Sequence, residues 1–295
     1  MAMNLDSISN YVDERRLPLI TESVLKGKTA SLINQQLGVK WKAAINMINV
    51  NPTLQDGSTC GWTDAGNGEI SQRIITAPLI KVNQSFCHKD FMKTWLGYET
   101  KVGAGSEDTS FDEYFITQIV ENVKAANEKL IWQGNTESED ATLKLTDGLL
   151  KVMGDEVVTA ATATSAYTAI QNVYLAIPEK VLDKAVIFVG ADTYRKFIQE
   201  MVAKNLYHYS ADNTNQEFIY PATNTKVIAV NGLNGTKKIV AANPANLFVG
   251  TDMMEDAEKF DFYFSKDNDE FRLKINYTLG TQVAFPDEIV VGGLA

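Results

Sequence analysis

Apolar and polar positions fall into several distinct patterns along the chain. Phe111, Phe115, Ile119, Val123, Ala126 and Leu130 recur at spacings of three and four, which predicts a helix with one apolar face. Ile116, Val120 and Ile131 widen that face. Ser110 with Glu113 makes a capping-box pattern at its start, and Gly134 supplies a stop. At 1.5 Å per residue a helix over 111–133 runs about 35 Å, long enough to be the spine of a domain.

From Ala44 to Gln84 the period becomes that of strands: AINMINV, a glycine-rich stretch, then EISQRIITA and LIKVNQS on either side of Pro78. Ala65-Gly66-Asn67-Gly68 predicts a turn, because Asn and Gly tolerate positive φ. Strands this long, with few large apolar residues to cover one face, predict a protruding hairpin more than a packed sheet. Residues 1 to 43 are polar and hold only short helical fragments, such as Leu19 to Leu25 between Pro18 and the Lys26-Gly27-Lys28 break. That is the pattern of an arm that needs something to lie on.

A second unit begins near Ala161. A helix bearing Tyr167, Ile170, Val173, Tyr174 and Ile177 leads to the apolar strand AVIFVG, and Asp192 is placed to cap a helix carrying Phe197, Ile198, Met201 and Val202. The short strands KVIAV and KIVAA follow, joined through the turn signals Asn231-Gly232 and Asn234-Gly235. The end of the chain, DFYFSKD and DEFRLKINYTLGTQVAF, alternates as paired antiparallel strands do, with Asn268-Asp269 as the turn.

Composition sharpens this picture. The 295 residues are 45% hydrophobic and 22% charged, which fits a globular chain of one or two domains. A compact chain of this mass exposes roughly 12,000 Å² of the about 47,000 Å² open to water when unfolded, so about three quarters would be buried if the chain is compact. The net charge of −10 argues against a protein whose main work is gripping phosphate backbones. It is unevenly spread. Residues 1–43 carry +2, 44–84 carry −1 and 161–254 carry +1, whereas 85–160 and 255–295 together carry −12. Two stretches far apart in sequence thus share nearly all the excess acid, which suggests one discontinuous domain. No window approaches the ~20 apolar residues of a membrane span, and the N-terminus has no apolar core after a basic start, so the expected setting is cytoplasmic. Cys60 and Cys87 are too few for a disulfide framework and fit a reducing compartment.

The search for an active site is mostly negative. His88 and His208 are the two histidines available to acid/base or nucleophilic chemistry. Cys60, Cys87 and His88 would give zinc three ligands without a paired CxxC spacing, so a plain thiol and a surface imidazole are the favoured reading. His208 lies in the aromatic cluster NLYHYS and reads as a packing or interface residue. Gly103-Ala104-Gly105 lacks the third glycine of a dinucleotide loop and the Gly-Lys-Ser/Thr of a phosphate cradle, and reads as a link before the helix. There is no Gly-x-Ser-x-Gly elbow. In Asp267-Asn268-Asp269-Glu270, Phe271 stands where a calcium loop needs a third side-chain ligand, so a solvated turn is favoured. Tyr207, Tyr209, Phe218 and Tyr220 are expected in core or subunit contacts before ligand stacking. Arg15, Arg16, Lys26 and Lys28 are expected to be solvated. Carboxylates are plentiful, but nothing singles out a glycosidase-like pair. No catalytic, cofactor-binding or metal-binding residue is therefore assigned.

The stretch from Lys237 onward resembles the C-terminal part of major capsid proteins of tailed bacteriophages with the Hong Kong 97-type fold. The resemblance lies in Ala242-Asn243-Pro244-Ala245-Asn246-Leu247 through Gly250-Thr251-Asp252, in Asp267 to Arg272, and in Gly280-Thr281-Gln282-Val283-Ala284-Phe285-Pro286. It looks most like capsid proteins from phages of Bacteroidetes-type hosts. Ser31-Leu32-Ile33, Gln55-Asp56-Gly57-Ser58 with Cys60-Gly61-Trp62, and Ser71-Gln72-Arg73 extend it over nearly the whole chain. The resemblance implies an α+β chain divided as follows: an N-terminal arm (1–43), an extended hairpin called the E-loop (44–84), a peripheral domain in two parts (85–160, with a spine helix at 111–133, and 255–295), and an axial domain (161–254). It further implies self-assembly through pentamers and hexamers into an icosahedral virion shell that encloses double-stranded DNA without sequence-specific binding. Portal, scaffolding and capsid-decorating proteins are implied partners, and the host cytoplasm the site of assembly. Many relatives begin with a long scaffolding extension, so either a separate scaffold or a matured chain is expected here. Lysine–asparagine crosslinks, for which Lys81 or Lys89 would be donors, have no supporting motif. Two rivals remain: an encapsulin-like shell, and, in a different class, a two-domain carboxylate hydrolase with a pocket of convergent acids.

Overall fold

A computed structural model describes residues 16–58, 61, 66–87, 111–206, 217–220, 223–252, 259–268 and 270–295. Along the chain run α1 (Arg16–Leu25), α2 (Lys28–Leu32), β1 (Asn34–Leu37), β2 (Lys42–Pro52), β3 (Gly66–Thr76), β4 (Leu79–Cys87) and α3 (Phe111–Gln133). After them come α4 (Leu149–Val152), β5 (Val158–Thr159), α5 (Ala166–Leu175), β6 (Val186–Gly190), α6 (Ala191–Ala203), β7 (Glu217–Ile219), β8 (Lys226–Val230), β9 (Lys238–Ala242) and β10 (Leu247–Thr251). The chain closes with β11 (Lys259–Ser265), β12 (Glu270–Thr278), β13 (Gly280–Val283) and β14 (Val290–Gly293).

The long helix α3 occupies the residues its periodicity predicts. Its apolar stripe, Ile116, Ile119, Val120 and Val123, packs on the antiparallel sheet β11-β12-β4 through Phe260, Phe262, Leu273 and Ile275. Phe115 adds edge contacts to Phe86 at 5.1 Å and to Phe262 at 6.0 Å between ring centroids. Gly134 ends the helix for a reason other than positive φ: a Cβ there would lie 2.4 Å from the carbonyl oxygen of Thr146, so only glycine lets the returning chain pass. Ser110 lies outside the described residues, as do the side chains at 111–114.

The second unit is a six-stranded sheet in the order β5-β14-β9-β6-β8-β7. Its inner strands are apolar without alternation because both faces are covered. Ile187, Val189, Val227 and Ile239 face α5 and α6, whereas Phe188, Ile228 and Val240 join the core around α3, where Trp132 meets Phe188 at 5.4 Å. Glu200 of α6 accepts bonds from the backbone N–H groups of Ala166 and Tyr167, tying the two helices together.

Several expectations are corrected. KVIAV and KIVAA (β8 and β9) do not pair, because β6 lies between them; the turn at 231–233 packs instead on α3, where Gln133 Nε2 donates to Gly232 O at 2.6 Å. Asp192 sits inside the first turn of α6 with Gly190 at the cap, and its Oδ2 accepts from Gly235 N. Strand β10 leaves the second unit and forms the sheet β1-β10-β13, while β14 and β5 join the six-stranded sheet. Gly66, Asn67 and Gly68 lie within β3, paired with Pro52, Asn51 and Val50, so the connection is the longer segment 53–65.

The described part of the N-terminal segment is not a detached arm. Val24, Ala30 and Ile33 are buried in the main core, and β1 pairs in parallel with β10. Two polar side chains of α3 fix it there. Asn127 Nδ2 donates to Ser23 O at 3.2 Å and its Oδ1 accepts from Tyr277 Oη at 2.6 Å. Glu128 accepts from Thr29 N at 3.1 Å and from the Thr29 hydroxyl, which in turn accepts from Trp132 Nε1 at 2.7 Å. Burial pushes the Glu128 carboxyl above its ordinary value against the pull of the Thr29 bonds and of Lys28 and Lys124. Burial likewise pushes the Tyr277 phenol up to about 12, with its bond to Asn127 acting the other way.

Candidate assembly surfaces

Strands β2 and β3 form a two-stranded antiparallel hairpin in unbroken register from Lys42↔Thr76 to Pro52↔Gly66. The alternation of its sequence sorts the two faces. Ile45, Met47 and Ile75 turn inward onto a small cluster with Val39, Ala77 and Ala284. On the outer face Ile48 stands opposite Ile70 with both side chains in water, 66% and 78% exposed; exposed Val50 adjoins them, and exposed Ile74 stands beyond the Asn46–Gln72 pair. Leu54, beyond the strands, is 97% exposed. A monomer rarely leaves so many aliphatic residues side by side in solvent; patches of this kind mark contact surfaces.

The root of the hairpin is held firmly. Arg73 donates from Nη1 to Val283 O at 3.2 Å and pairs with Glu156 at 3.5 Å, and Gln282 Nε2 donates to Ile74 O at 2.7 Å. Gly280 permits this approach, since a Cβ there would lie 2.1 Å from Thr76 O. Across the root Ala77 N donates to Trp41 O at 2.8 Å, and Trp41 has a φ of 127°, a region that residues with side chains rarely enter. Its indole is exposed.

A groove of about 430 Å³ runs between α3 and β4. It is lined by Ile119, Val123 and Ala126 of the helix, by residues 80–84 of the strand and by Leu145. The accessible surface of the chain is 17,038 Å². That is about 5,000 Å² more than a compact chain of this mass exposes.

Candidate chemical residues are scattered. Cys87 is exposed with a free thiol, while Cys60, His88, His208, Tyr207 and Tyr209 lie outside the described residues, as does the segment 103–105. Among the described residues no group of three or more His, Cys, Asp or Glu is arranged to hold a metal. Phe218 packs edge-on against Phe197 at 5.3 Å and Tyr220 stacks on Tyr174 at 4.1 Å, so both are packing residues of the second unit. Glu270 accepts from Asn268 and Arg272 beside the exposed turn 266–268. Lys26 is solvated beside Glu22 at 4.0 Å. Among the described residues no helix is long and apolar enough to cross a membrane. The signal that sequence reading passed over is the outer face of the hairpin, legible as Ile48, Val50, Ile70 and Ile74 once the register is known.

No family model matches the sequence, and no curated protein matches it. Solved structures match its fold. The procapsid of satellite phage P4 with its size-determination protein has a chain that superposes with a TM-score of 0.60 at 10% identity, over 94% of this chain and 90% of that one. A chain from the capsid of an empty GTA particle gives 0.58 at 10% identity over 93% and 90%. The virus-like particle from Pyrococcus furiosus gives 0.52 at 12% identity over 95% and 98%. The chain thus has the α+β fold of phage capsid proteins, the Hong Kong 97-type fold, along nearly its whole length.

Proposed function

We propose that the protein is a major capsid protein, self-assembling through pentamers and hexamers into the icosahedral shell around the double-stranded DNA of a tailed bacteriophage that infects a Bacteroidetes-type host. The observation that carries this reading is the hairpin: an aliphatic outer face in solvent, on a fold shared end to end with shell subunits. On this reading the hairpin is the E-loop, α3 is the spine of the peripheral domain, and the six-stranded sheet with α5 and α6 is the axial domain. Closed symmetry then gives each protruding surface a repeated partner on the next copy, which is where the missing burial is recovered. An excess of acid suits a wall that encloses DNA without gripping it, since DNA binding runs on phosphate neutralisation. The portal, a scaffold and decorating proteins are the expected partners, and the virion capsid the final location.

Particle size tests the reading. Purified protein is expected to form multi-megadalton particles, or ring-shaped pentamers and hexamers. A well-behaved monomer of 32.6 kDa with full thermal stability overturns it. The likeness to the Pyrococcus furiosus particle keeps an encapsulin-like shell as the second reading. Neighbouring reading frames separate the two: a portal and a large terminase on one side, a cargo peroxidase or ferritin-like protein on the other.

A further inference from the structure

We propose that Asn234 is a latent deamidation site, held closed in the folded subunit by a reciprocal pair of hydrogen bonds to the first turn of α6. The inference is independent of the shell reading.

Asparagine followed by glycine is the dipeptide most prone to succinimide formation, because glycine puts no Cβ beside the attacking nitrogen. The chain has three such pairs, Asn67-Gly68, Asn231-Gly232 and Asn234-Gly235. In the reaction at Asn234, a bond forms from Gly235 N to Asn234 Cγ and the Cγ–Nδ2 bond breaks. The Gly235 amide proton departs with Nδ2 as ammonia. Water then opens the ring at either carbonyl and leaves aspartate or isoaspartate, with no change of oxidation state.

The three pairs differ in what prevents closure. Asn67 and Gly68 lie in the β2–β3 ladder, opposite Asn51 and Val50. Gly232 is buried against α3, where an added Cβ would strike Glu128 O and the Trp132 ring, and its carbonyl accepts from Gln133 Nε2 at 2.6 Å. Packing thus immobilises the Asn231–Gly232 peptide. Asn234 and Gly235 are both exposed, and a Cβ added to Gly235 would meet nothing within 4 Å. There the restraint is two bonds. Asn234 Oδ1 accepts from Ala191 N at 2.6 Å, in place of the side-chain cap that Gly190 cannot supply. In return Gly235 N donates to Asp192 Oδ2 at 3.2 Å. The buried Asp192 Oδ1 has no hydrogen-bond partner and occupies the space a Cβ on Gly190 would take, which sets the way the carboxylate faces.

These bonds hold the reacting groups apart. Closure requires the Asn234 Cα–C bond to turn until Gly235 N eclipses Cβ, and at a ψ of 135° the nitrogen points well away from it. That rotation takes Gly235 N–H off Asp192, and bringing Cγ round to meet the nitrogen takes Oδ1 off Ala191. The site therefore reacts only where the turn at 233–236 lifts from α6. Either product then adds a carboxylate beside Asp192, and isoaspartate also lengthens the main chain by a methylene, so both oppose reseating of the turn.

Peptide mapping by mass spectrometry on the purified full chain, aged at mildly alkaline pH, tests the assignment. In the folded wild type Asn234 is expected to keep its amide, whereas in the urea-unfolded chain it converts readily. Asp192→Ala is expected to speed conversion at Asn234 by about tenfold, as the loss of one hydrogen bond to a charged group does, with Asn231 unchanged and a native circular dichroism spectrum. Asp192→Asn, which retains an acceptor for Gly235 N, is expected to stay near wild type. Conversion in the folded wild type as fast as in the unfolded chain overturns the proposal. An Asp192→Ala rate no higher than wild type, or slowing by Asp192→Asn, also overturns it, since the carboxylate would then be idle or a base for the reaction. A matching rise at Asn231 overturns it too, because the effect would be general unfolding. None of these outcomes touches the shell reading.

Discussion

The six-stranded sheet and the β2–β3 hairpin are built from similar residues and solve opposite problems. In the sheet, Phe188 and Ile228 point into one core and Ile187 and Val227 into another, so the apolar side chains of its central strands are matched within the chain. In the hairpin, Ile45 and Met47 find partners on the body, but Ile48 and Ile70 find none on their own face. The difference lies in what covers the second face. Two helices cover the sheet's, whereas no described residue of the chain covers the hairpin's. β propensity serves both, since it measures fit to a pleated, half-buried surface, while the second face is buried within the subunit in one and left to solvent in the other.

The largest test of this contrast replaces residues 47–71 with Asn-Gly, a two-residue turn suited to closing the Asn46–Gln72 pair. The shortened chain is expected to melt as a folded subunit and to form no particles by electron microscopy or sedimentation. Outright unfolding would mean that the hairpin belongs to the core. Next in size, Phe188→Ala leaves a cavity against Trp132 and is expected to cost about 3–5 kcal/mol in chemical unfolding. Ile48→Ser in the unassembled subunit is expected to stay within about 0.5 kcal/mol of wild type. A large loss from Ile48→Ser would erase the distinction between the two regions.

The smallest effect concerns the N-terminal helices, which side with the sheet. Because burial raises the Glu128 carboxyl, the folded chain holds that proton more tightly than the unfolded chain does. Stability from this site is thus fully present below the ordinary value of 4.5 and is lost as the pH rises through the raised one. Measured against Glu128→Gln, wild type is expected to gain stability as the pH falls from neutral toward 4.5. A difference independent of pH would show that the carboxylate is not desolvated.

What could be read in the sequence was local. The stripe from Phe115 to Leu130 and the run AVIFVG each state their own environment, and the hairpin announces itself by alternation. The docking of residues 19–33 could not be read, because it depends on Thr29 meeting Glu128 and on Asn34 to Leu37 meeting β10, polar and distant pairings with no periodicity of their own. The turn at Gly66-Asn67-Gly68 was misplaced since its residues suit a bend equally well as the flat end of a ladder. The resemblance carried the fold and the assembly reading. It carried nothing about the groove, for a gap between a helix and a strand is a relation between elements that no residue declares.

The Thr29–Glu128 contact also sets a clock on synthesis. Its partners are 99 residues apart, and at about 5–20 residues per second the ribosome needs roughly 5–20 s between them. Asn34 waits longer still for the carbonyl of Ala245, 211 residues downstream. Thr29 and Asn34 are thus synthesised well before the residues that seat them.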